Sequence, residues 1–192
     1  GKSPEEVPEL VIWDVGLGAA ANAMAAVQCY EAAAAQGPVR RLKLISFEND
    51  LDSLRLALTH KSYFPYLRHS GPDAVLARGQ WTSRQFPGLS WELLEGDFWE
   101  RAPQASAKPD LVFYDFFSHK TDTACWKLAS FARLFELVRS ERSAELFTYS
   151  ASTAVRAGLL HAGFFVGAGV GTGVKKDTTV ALTSGWAGAP RH

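Results

Sequence analysis

The chain has 192 residues, a length typical of one domain with a substantial apolar core. Its 20 lysines and arginines balance its 20 aspartates and glutamates, so the composition lacks the basic excess of a typical nucleic-acid binder. Cys29 and Cys125 lack disulfide or metal-ligand spacing, which indicates two core cysteines in a reducing cytoplasm and argues against a metal site.

No apolar stretch is long enough to span a bilayer, and no signal peptide is visible, so we expect no membrane partner. The chain begins with Gly1 instead of a methionine. We therefore expect a short N-terminal segment to precede residues 1–192, which we interpret as one domain.

The first predicted strand, Leu10 to Val15, runs into two glycines and then into an alanine-rich helix from about Ala20 to Gln36. Gly16 and Gly18 permit unusual backbone angles and let a ligand approach the main chain. The helix that follows begins with N–H groups that have no partner within the helix and can serve a ligand. This stretch therefore predicts a cradle for a nucleotide-type cofactor.

The acid before the turn indicates which cofactor this is. Asp14 lies two residues before Gly16, where a carboxylate repels a pyrophosphate and favours a positively charged ligand. S-adenosylmethionine carries an ammonium and a sulfonium group and fits this requirement. The relaxed dinucleotide pattern G-x-G-x-x-A is also present, ending at Ala21, so a dinucleotide site and an ordinary strand-to-helix turn stay open as alternatives.

The second predicted strand, Leu42 to Glu48, also ends in an acid and precedes a helix that begins near Asn49 or Asp50. In a strand, helix, strand unit, a carboxylate at the end of the second strand accepts hydrogen bonds from a ribose. Glu48 is therefore the predicted ribose ligand. The alternative is a carboxylate at a helix start, stabilised by the helix dipole.

Residues 60–88 are rich in aromatic and basic side chains and predict a partly packed connection with a helix and a surface loop. A third strand, Leu89 to Glu95, follows and leads into Asp97 and Phe98. An acid and an aromatic residue here suit an adenine amino group and its ring, although an aspartate after a glycine is also ordinary turn chemistry. Residues 102–108 predict a flexible surface linker.

The fourth predicted strand, Leu111 to Tyr114, is apolar on both faces, which is typical of a central strand in a parallel sheet. Asp115 follows it directly, with aromatic residues beside it. Because α/β sheets bind ligands at the carboxyl ends of their strands, Asp115 is the predicted reaction centre. His119 is interpreted as an ordinary satisfied polar group.

The next segment predicts a helix from about Thr123 to Arg139 and a fifth strand from Ala144 to Tyr149. A short helix over 154–161 follows, with Ser152 or Thr153 as its cap and Gly163 at its end. This continues the alternation of strand and helix.

The C-terminal part predicts two strands, over 164–166 and 178–182, with no helix between them. Strands joined in this way must pair antiparallel. The glycines between 167 and 173 are interpreted as loop residues and not as a phosphate cradle, because no helix follows them.

Five strands that alternate with helices and close with an antiparallel hairpin resemble the Rossmann-like class I S-adenosylmethionine-dependent methyltransferase fold, an α/β fold with a mostly parallel sheet. More closely, the chain resembles the methyltransferase domain of the bacterial MnmC family, which makes 5-methylaminomethyl-2-thiouridine at the wobble position of certain tRNAs. The resemblance extends from Leu10 to Thr183. The matching segments are Gly16 to Asn22, Ser46-Phe47-Glu48, Gly96-Asp97, Asp115 to His119 with Trp126, Thr148-Tyr149-Ser150, Arg156 to Phe164, and Gly171, Gly173 and Lys175.

The resemblance implies S-adenosyl-L-methionine as the cofactor, tRNA as the partner and an amine of a modified wobble uridine as the methyl acceptor. It also implies that Asp115 is catalytic. The implied cofactor-binding residues are Asp14, Gly16, Gly18, Asn22, Glu48, Asp97, Phe98 and Asp115, and the implied substrate-binding residues are Phe117, Ser118, Tyr149 and Lys175. Further candidate phosphate contacts are Lys176 and the cluster of Arg40, Arg41 and Lys43, for which a solvated surface is the alternative.

The chain departs from the family pattern in the cofactor turn and after the predicted reaction centre, where Thr121-Asp122-Thr123 also replace a lysine, asparagine, proline stretch before the tryptophan. Ala19 and Ala20 replace a threonine and the third glycine, so a methyl group is expected to crowd the cofactor turn. His119 replaces a proline after the predicted reaction centre. The flavin-binding oxidase half of the bifunctional members is not found in this sequence, which leaves methyl transfer. A methyltransferase with another acceptor, a nicotinamide-dependent oxidoreductase and a non-catalytic cofactor-binding module remain as alternatives.

Overall fold

The computed structural model describes residues 7–116, 123–140, 142–171 and 177–184. The chain forms two compact units, Gly1–Ala107 and Lys108–His192. Strands and helices alternate along both, so each unit has an α/β architecture.

The described part of the first unit contains four strands. β1 (Leu10–Val15), β2 (Leu42–Glu48) and β4 (Leu89–Glu95) run parallel, and β3 (Gln80–Thr82) pairs antiparallel with β4. The strand order is β3-β4-β2-β1. The bounds of the three parallel strands agree with the prediction, because each is a segment rich in apolar residues that ends at an acid or just before a glycine. The sequence pattern did not predict β3.

Two of the described helices in this unit begin with a side-chain cap that satisfies their first N–H groups. Nδ1 of His69 accepts from the backbone N of Gly71 at 3.0 Å, and Oδ1 of Asp97 accepts from the backbone N of Trp99 at 2.8 Å. The described helices are α1 (Ala21–Ala34), α2 (Asp52–Thr59), α3 (Ser70–Arg78) and α4 (Phe98–Arg101), with 3-10 helices at Pro65–Arg68 and Ala102–Gln104.

An aromatic cluster fills one side of the first unit's sheet. The ring of Phe47 meets Trp13 edge-on at 5.2 Å and Phe98 at 5.1 Å, and all three side chains are buried. Each such ring pair adds about 0.5–1.5 kcal/mol beyond the burial of its surface. Since side chains alternate along a strand, Asp14, next to Trp13, lies on the opposite face of β1.

The described part of the second unit also has four strands. β5 (Leu111–Tyr114) and β6 (Glu145–Thr148) are parallel, while β8 (Thr178–Leu182) pairs antiparallel with β6 and with β7 (Phe165–Gly169). The order is β5-β6-β8-β7. The predicted C-terminal antiparallel hairpin is therefore confirmed.

Two helices of the second unit pack closely together. α5 (Leu128–Val138) follows a 3-10 helix at Thr123–Trp126, and α6 (Thr153–His161) is capped by Ser152, whose Oγ accepts from the backbone N of Val155 at 3.2 Å. The glycine at position 158 in α6 leaves room for an aromatic ring of α5. The predicted helix over 123–139 is divided into a 3-10 helix and α5, and of the two predicted caps, Ser152 and Thr153, Ser152 is the one observed.

One prediction about local environment is wrong. Cys29 is exposed, because the buried residues of α1 lie on another face of the helix, whereas Cys125 is buried as expected. β5 pairs in parallel with β6, as expected for an apolar strand of a parallel sheet; within it Val112 and Tyr114 are buried, and Leu111 and Phe113 are half-buried.

The predicted linker and loop segments also contain more structure than expected. Residues 102–108 include a 3-10 helix whose first residue, Ala102, is buried. Gly167 and Gly169 belong to β7, where a Cβ at Gly169 would come within 2.3 Å of Oγ1 of Thr178. Gly169 therefore serves close packing between β7 and β8.

Candidate functional site

The turn after β1 is built from left-handed backbone conformations. Gly16 and Gly18 have φ angles of 89° and 51°. A Cβ built on Gly18 would meet no atom within 4 Å, so a side chain there would project into open space. Main-chain atoms thus border an accessible region in front of the turn, as a bound cofactor requires.

Ala20 ends this turn under strain. It is the N-cap of α1 and, among the described residues, the only non-glycine residue with a positive φ, at 61°. An alanine in this region costs about 1–2 kcal/mol relative to a right-handed conformation. Its side chain is fully buried, so the methyl group of Ala20 packs inside the unit, whereas Ala19, the other residue expected to crowd the turn, is half-buried.

Glu48 connects the ends of β1 and β2. Its Oε2 accepts from the backbone N of Gly18 at 2.9 Å, while Oε1 accepts from the backbone N of Asn49 at 2.9 Å and of Asp50 at 3.2 Å. The side chain is buried. Each carboxylate oxygen has two lone pairs, so Oε2 retains acceptor capacity for a ligand hydroxyl. This geometry is compatible with both roles predicted for Glu48, as a ligand of a ribose and as a carboxylate near the start of the following helix.

Asp14 is almost completely buried beneath the turn, with 1% of its surface exposed. Its Oδ2 accepts a hydrogen bond from Oγ of Ser46 at 2.9 Å. Oγ of Ser46 in turn accepts a hydrogen bond from Nε1 of Trp91 at 2.9 Å. Sequence reasoning did not assign a role to either donor. The signal for Ser46 was its position two residues before Glu48, which places both on one face of β2.

The aromatic segment before α3 also reaches the turn. The hydroxyl of Tyr66 donates to the backbone O of Ala19 at 3.1 Å. Burial raises the pKa of the Tyr66 phenol, so the group remains protonated and able to donate at neutral pH. This contact supports the main chain of the turn from the side of residues 60–88.

Asp97 and Phe98 lie directly after β4 and the glycine that follows it. Asp97 is exposed, and its Oδ1 caps α4 through the backbone N of Trp99 and of Glu100. Phe98 is buried in the aromatic cluster with Trp13. Asp97 therefore makes the turn and cap hydrogen bonds that were considered as its alternative role. Its carboxylate is exposed and remains accessible to a ligand. Asn22 lies half-buried in the first turn of α1.

In the second unit, two candidate residues follow neighbouring parallel strands. Asp115 comes directly after β5 and is half-buried, and Tyr149 comes directly after β6 with 37% of its surface exposed. The carboxyl ends of parallel neighbours meet at one edge of a sheet. Phe116 packs its ring edge-on against Tyr114 at 5.0 Å. The remaining predicted substrate residues, Phe117, Ser118 and Lys175, lie outside the described residues, as do His119 and Lys176.

Arg156 supports the same edge from α6. Its Nε donates to Oγ1 of Thr179 at 3.0 Å and its Nη2 to the backbone O of Thr178 at 3.0 Å. The Thr179 hydroxyl donates to the backbone O of Ser150 at 2.7 Å, next to Tyr149. Arg156 belonged to a matched motif, and the structure assigns it a supporting position that the motif did not reveal.

Arg40 donates to the backbone oxygens of Pro8 and Glu9, so its guanidinium supports the start of the chain. Within the described residues, no group of three or more histidine, cysteine, aspartate or glutamate side chains is arranged to hold a metal ion. In the same part of the chain, no helix is long and apolar enough to cross a membrane.

A cavity of about 360 Å³ is lined by Phe135, Arg139, Ser140, Ser143, Thr183 and Ser184.

Comparison with known proteins decides the family. Residues 76–184 match the family model described as S-adenosyl-L-methionine-dependent methyltransferase. The chain belongs to this family. The class I methyltransferase fold, α/β with a mostly parallel sheet and a C-terminal antiparallel hairpin, is therefore the fold of this methyltransferase, with S-adenosyl-L-methionine as its cofactor. The family decides against the nicotinamide-dependent alternative.

Individual relatives are similar along most of this methyltransferase. A tRNA 5-methylaminomethyl-2-thiouridine biosynthesis bifunctional protein MnmC from Chromobacterium violaceum is 30% identical, over 93% of this chain and 27% of that protein. A Pseudomonas aeruginosa protein of the same name is 32% identical, over 88% of this chain and 26% of that protein. The crystal structure of MnmC2 from Aquifex aeolicus is 25% identical with a TM-score of 0.65, covering 93% of this chain and 54% of that one. The chain thus spans about a quarter of the length of the curated relatives.

Proposed function

We propose that this methyltransferase transfers a methyl group from S-adenosyl-L-methionine to an amine of a modified wobble uridine in tRNA. The observation that carries the proposal is the edge where Asp115 and Tyr149 follow the parallel strands β5 and β6. An acid can hold an amine and an exposed aromatic ring can stack on a base, which are the two contacts this acceptor needs. The names of the MnmC relatives supply the choice of tRNA.

The first unit offers groups that suit the cofactor. The open space in front of Gly18 and the buried carboxyl group of Asp14 suit a ligand with a positively charged amino-acid part. The remaining acceptor capacity of Glu48 suits a ribose hydroxyl, and the exposed carboxylate of Asp97 suits an adenine amino group. Gly16, Asn22 and Phe98 complete the proposed cofactor-binding set.

When bound, the cofactor supplies an electrophilic methyl group on its sulfonium. The chain's part is alignment, exclusion of water and control of the acceptor's proton, because an amine attacks only when it is unprotonated. We assign Asp115 to this proton and to the orientation of the amine. Phe117, Ser118 and Tyr149 are proposed to contact the base, and Lys175 a phosphate.

Labelled methyl transfer tests the proposal. The acceptor is tRNA that carries 5-aminomethyl-2-thiouridine at the wobble position, and the matched control is the same tRNA with an unmodified uridine. We expect label in the first tRNA and none in the second, because only the first offers an aliphatic primary amine on its wobble uridine. Absence of transfer to both, with S-adenosyl-L-methionine bound, would contradict the tRNA assignment and favour a methyltransferase with another acceptor.

A further inference from the structure

Three buried side chains form a hydrogen-bonded series beneath the turn, which we name the Asp14 relay: Trp91, Ser46 and Asp14. Trp91 Nε1 lies 2.9 Å from Ser46 Oγ, and Ser46 Oγ lies 2.9 Å from Asp14 Oδ2. None of the three exposes more than 1% of its surface. Three polar groups are thus held in a fixed order inside the first unit.

The strand register accounts for this arrangement. Asp14 in β1 stands opposite Ser46 in β2, and Trp91 in β4 stands opposite Leu44, two residues before Ser46. Side chains two residues apart on a strand share a face, so all three relay residues face the same side of the sheet. Backbone pairing therefore sets the separations between the relay atoms.

Elementary hydrogen-bond chemistry gives the relay a direction. An indole nitrogen only donates, so the Ser46 oxygen is an acceptor toward Trp91. The proton of Ser46 then remains available for Asp14. A hydrogen bond that ends on a carboxylate is charge-assisted and about twice as strong as one between neutral groups. The relay consequently holds the Asp14 carboxylate in one orientation.

We propose that Ser46 and Trp91 are positioning residues that orient Asp14 toward the amino-acid part of S-adenosyl-L-methionine. This inference rests on the proposed role of Asp14 in cofactor binding. It adds two residues outside the glycine turn to the determinants of cofactor affinity. Their effect acts through Asp14, so it is specific to ligands that carry the methionyl ammonium group.

The first unit contains matched controls for both residues. Ser83 is also buried, and its Oγ accepts from the backbone N of Phe86 at 3.1 Å. Trp13 is also buried, and its Nε1 donates to the backbone O of Ala107 at 3.0 Å. Ser83→Ala and Trp13→Phe thus each remove a partly buried hydrogen bond between a side chain and the backbone, with the same residue type changed and the three relay residues left in place.

Calorimetric binding of two probes separates positioning from general stability. S-adenosylhomocysteine contains the amino-acid part, and 5′-methylthioadenosine lacks it. We expect Ser46→Ala to weaken S-adenosylhomocysteine binding about tenfold, the size of a lost hydrogen bond to a charged group, and to change 5′-methylthioadenosine binding less than about twofold. We expect Trp91→Phe to act in the same direction by about threefold. Ser46→Thr restores a hydroxyl and should recover most of the affinity.

The outcomes distinguish this inference from the proposed function. Two results would overturn the relay as a positioning device. One is an equal loss of affinity for both probes in Ser46→Ala. The other is a loss in Ser83→Ala or Trp13→Phe that is as selective for S-adenosylhomocysteine as the loss in Ser46→Ala. If Asp14→Asn discriminates between the probes and Ser46→Ala does not, the inference is wrong while the role of Asp14 stands. If Asp14→Asn affects both probes equally, the role of Asp14 and the inference fail together. Thermal melting of each variant confirms that folded protein is compared.

Discussion

At the residue scale, the proposed reaction depends on one carboxylate after β5. We expect Asp115→Ala to lower methyl transfer at least about 100-fold, because general acid–base groups contribute that much or more. Binding of S-adenosylhomocysteine should remain measurable. Asp110→Ala is the matched control, since Asp110 lies at the other end of the strand and pairs with Arg142 at 3.2 Å. Transfer by Asp115→Ala at the wild-type rate would exclude its assigned role.

A second residue-scale prediction concerns Ala20 and its left-handed backbone. Replacing a buried helical alanine by glycine normally costs about 1–2 kcal/mol from the lost methyl group and added chain entropy. At Ala20, relief of about 1–2 kcal/mol of backbone strain offsets that cost. We expect Ala20→Gly to leave the free energy of unfolding nearly unchanged, whereas Ala23→Gly, also fully buried in α1, should lower it. Urea denaturation measures both, and equal losses would show that Ala20 is not strained.

At the element scale, α5 and α6 meet at a glycine. A Cβ at Gly158 would come within 2.7 Å of Cδ2 of Phe131, a buried ring. We expect Gly158→Ala to destabilise the protein by about 1 kcal/mol, because overpacking of about 1–3 kcal/mol exceeds the gain of about 1 kcal/mol in helix propensity.

The double variant tests the cause of that effect. In a Phe131→Leu background the clash is removed, so Gly158→Ala should become neutral or stabilising through helix propensity alone. Chemical denaturation of the four proteins provides the coupling free energy. The same destabilisation in both backgrounds would mean that the ring is not the obstacle.

At the scale of the whole molecule, the balance of 20 basic and 20 acidic residues bears on tRNA binding. A protein without a net positive charge neutralises few phosphates through its overall field, so a small number of local contacts must provide the electrostatic attraction. We expect the logarithm of the tRNA association constant to fall with the logarithm of salt concentration with a slope no steeper than about −3. Filter binding across a salt series measures this slope, and a value near −8 would indicate an extended basic interface instead.

The sequence by itself determined the elements whose signals are local. The bounds of β1, β2 and β4 follow from apolar runs that end at acids or glycines, and the start of α6 follows from Ser152 as a cap. Ordered motifs from Gly16 onward also identified the methyltransferase family, which the family match confirms. These features depend on neighbours within a few residues, so they can be predicted from the order of residues along the chain.

Only the tertiary structure decided which partners these residues have. Glu48 holds the backbone of Gly18, 30 positions earlier, and Ser46 joins Asp14 to Trp91 through strand pairing. The burial of Phe98 and the exposure of Cys29 likewise depend on which face meets the core. Hydrogen bonds between distant positions and the choice of a buried face arise when elements pack together, and residue spacing along one element does not specify them.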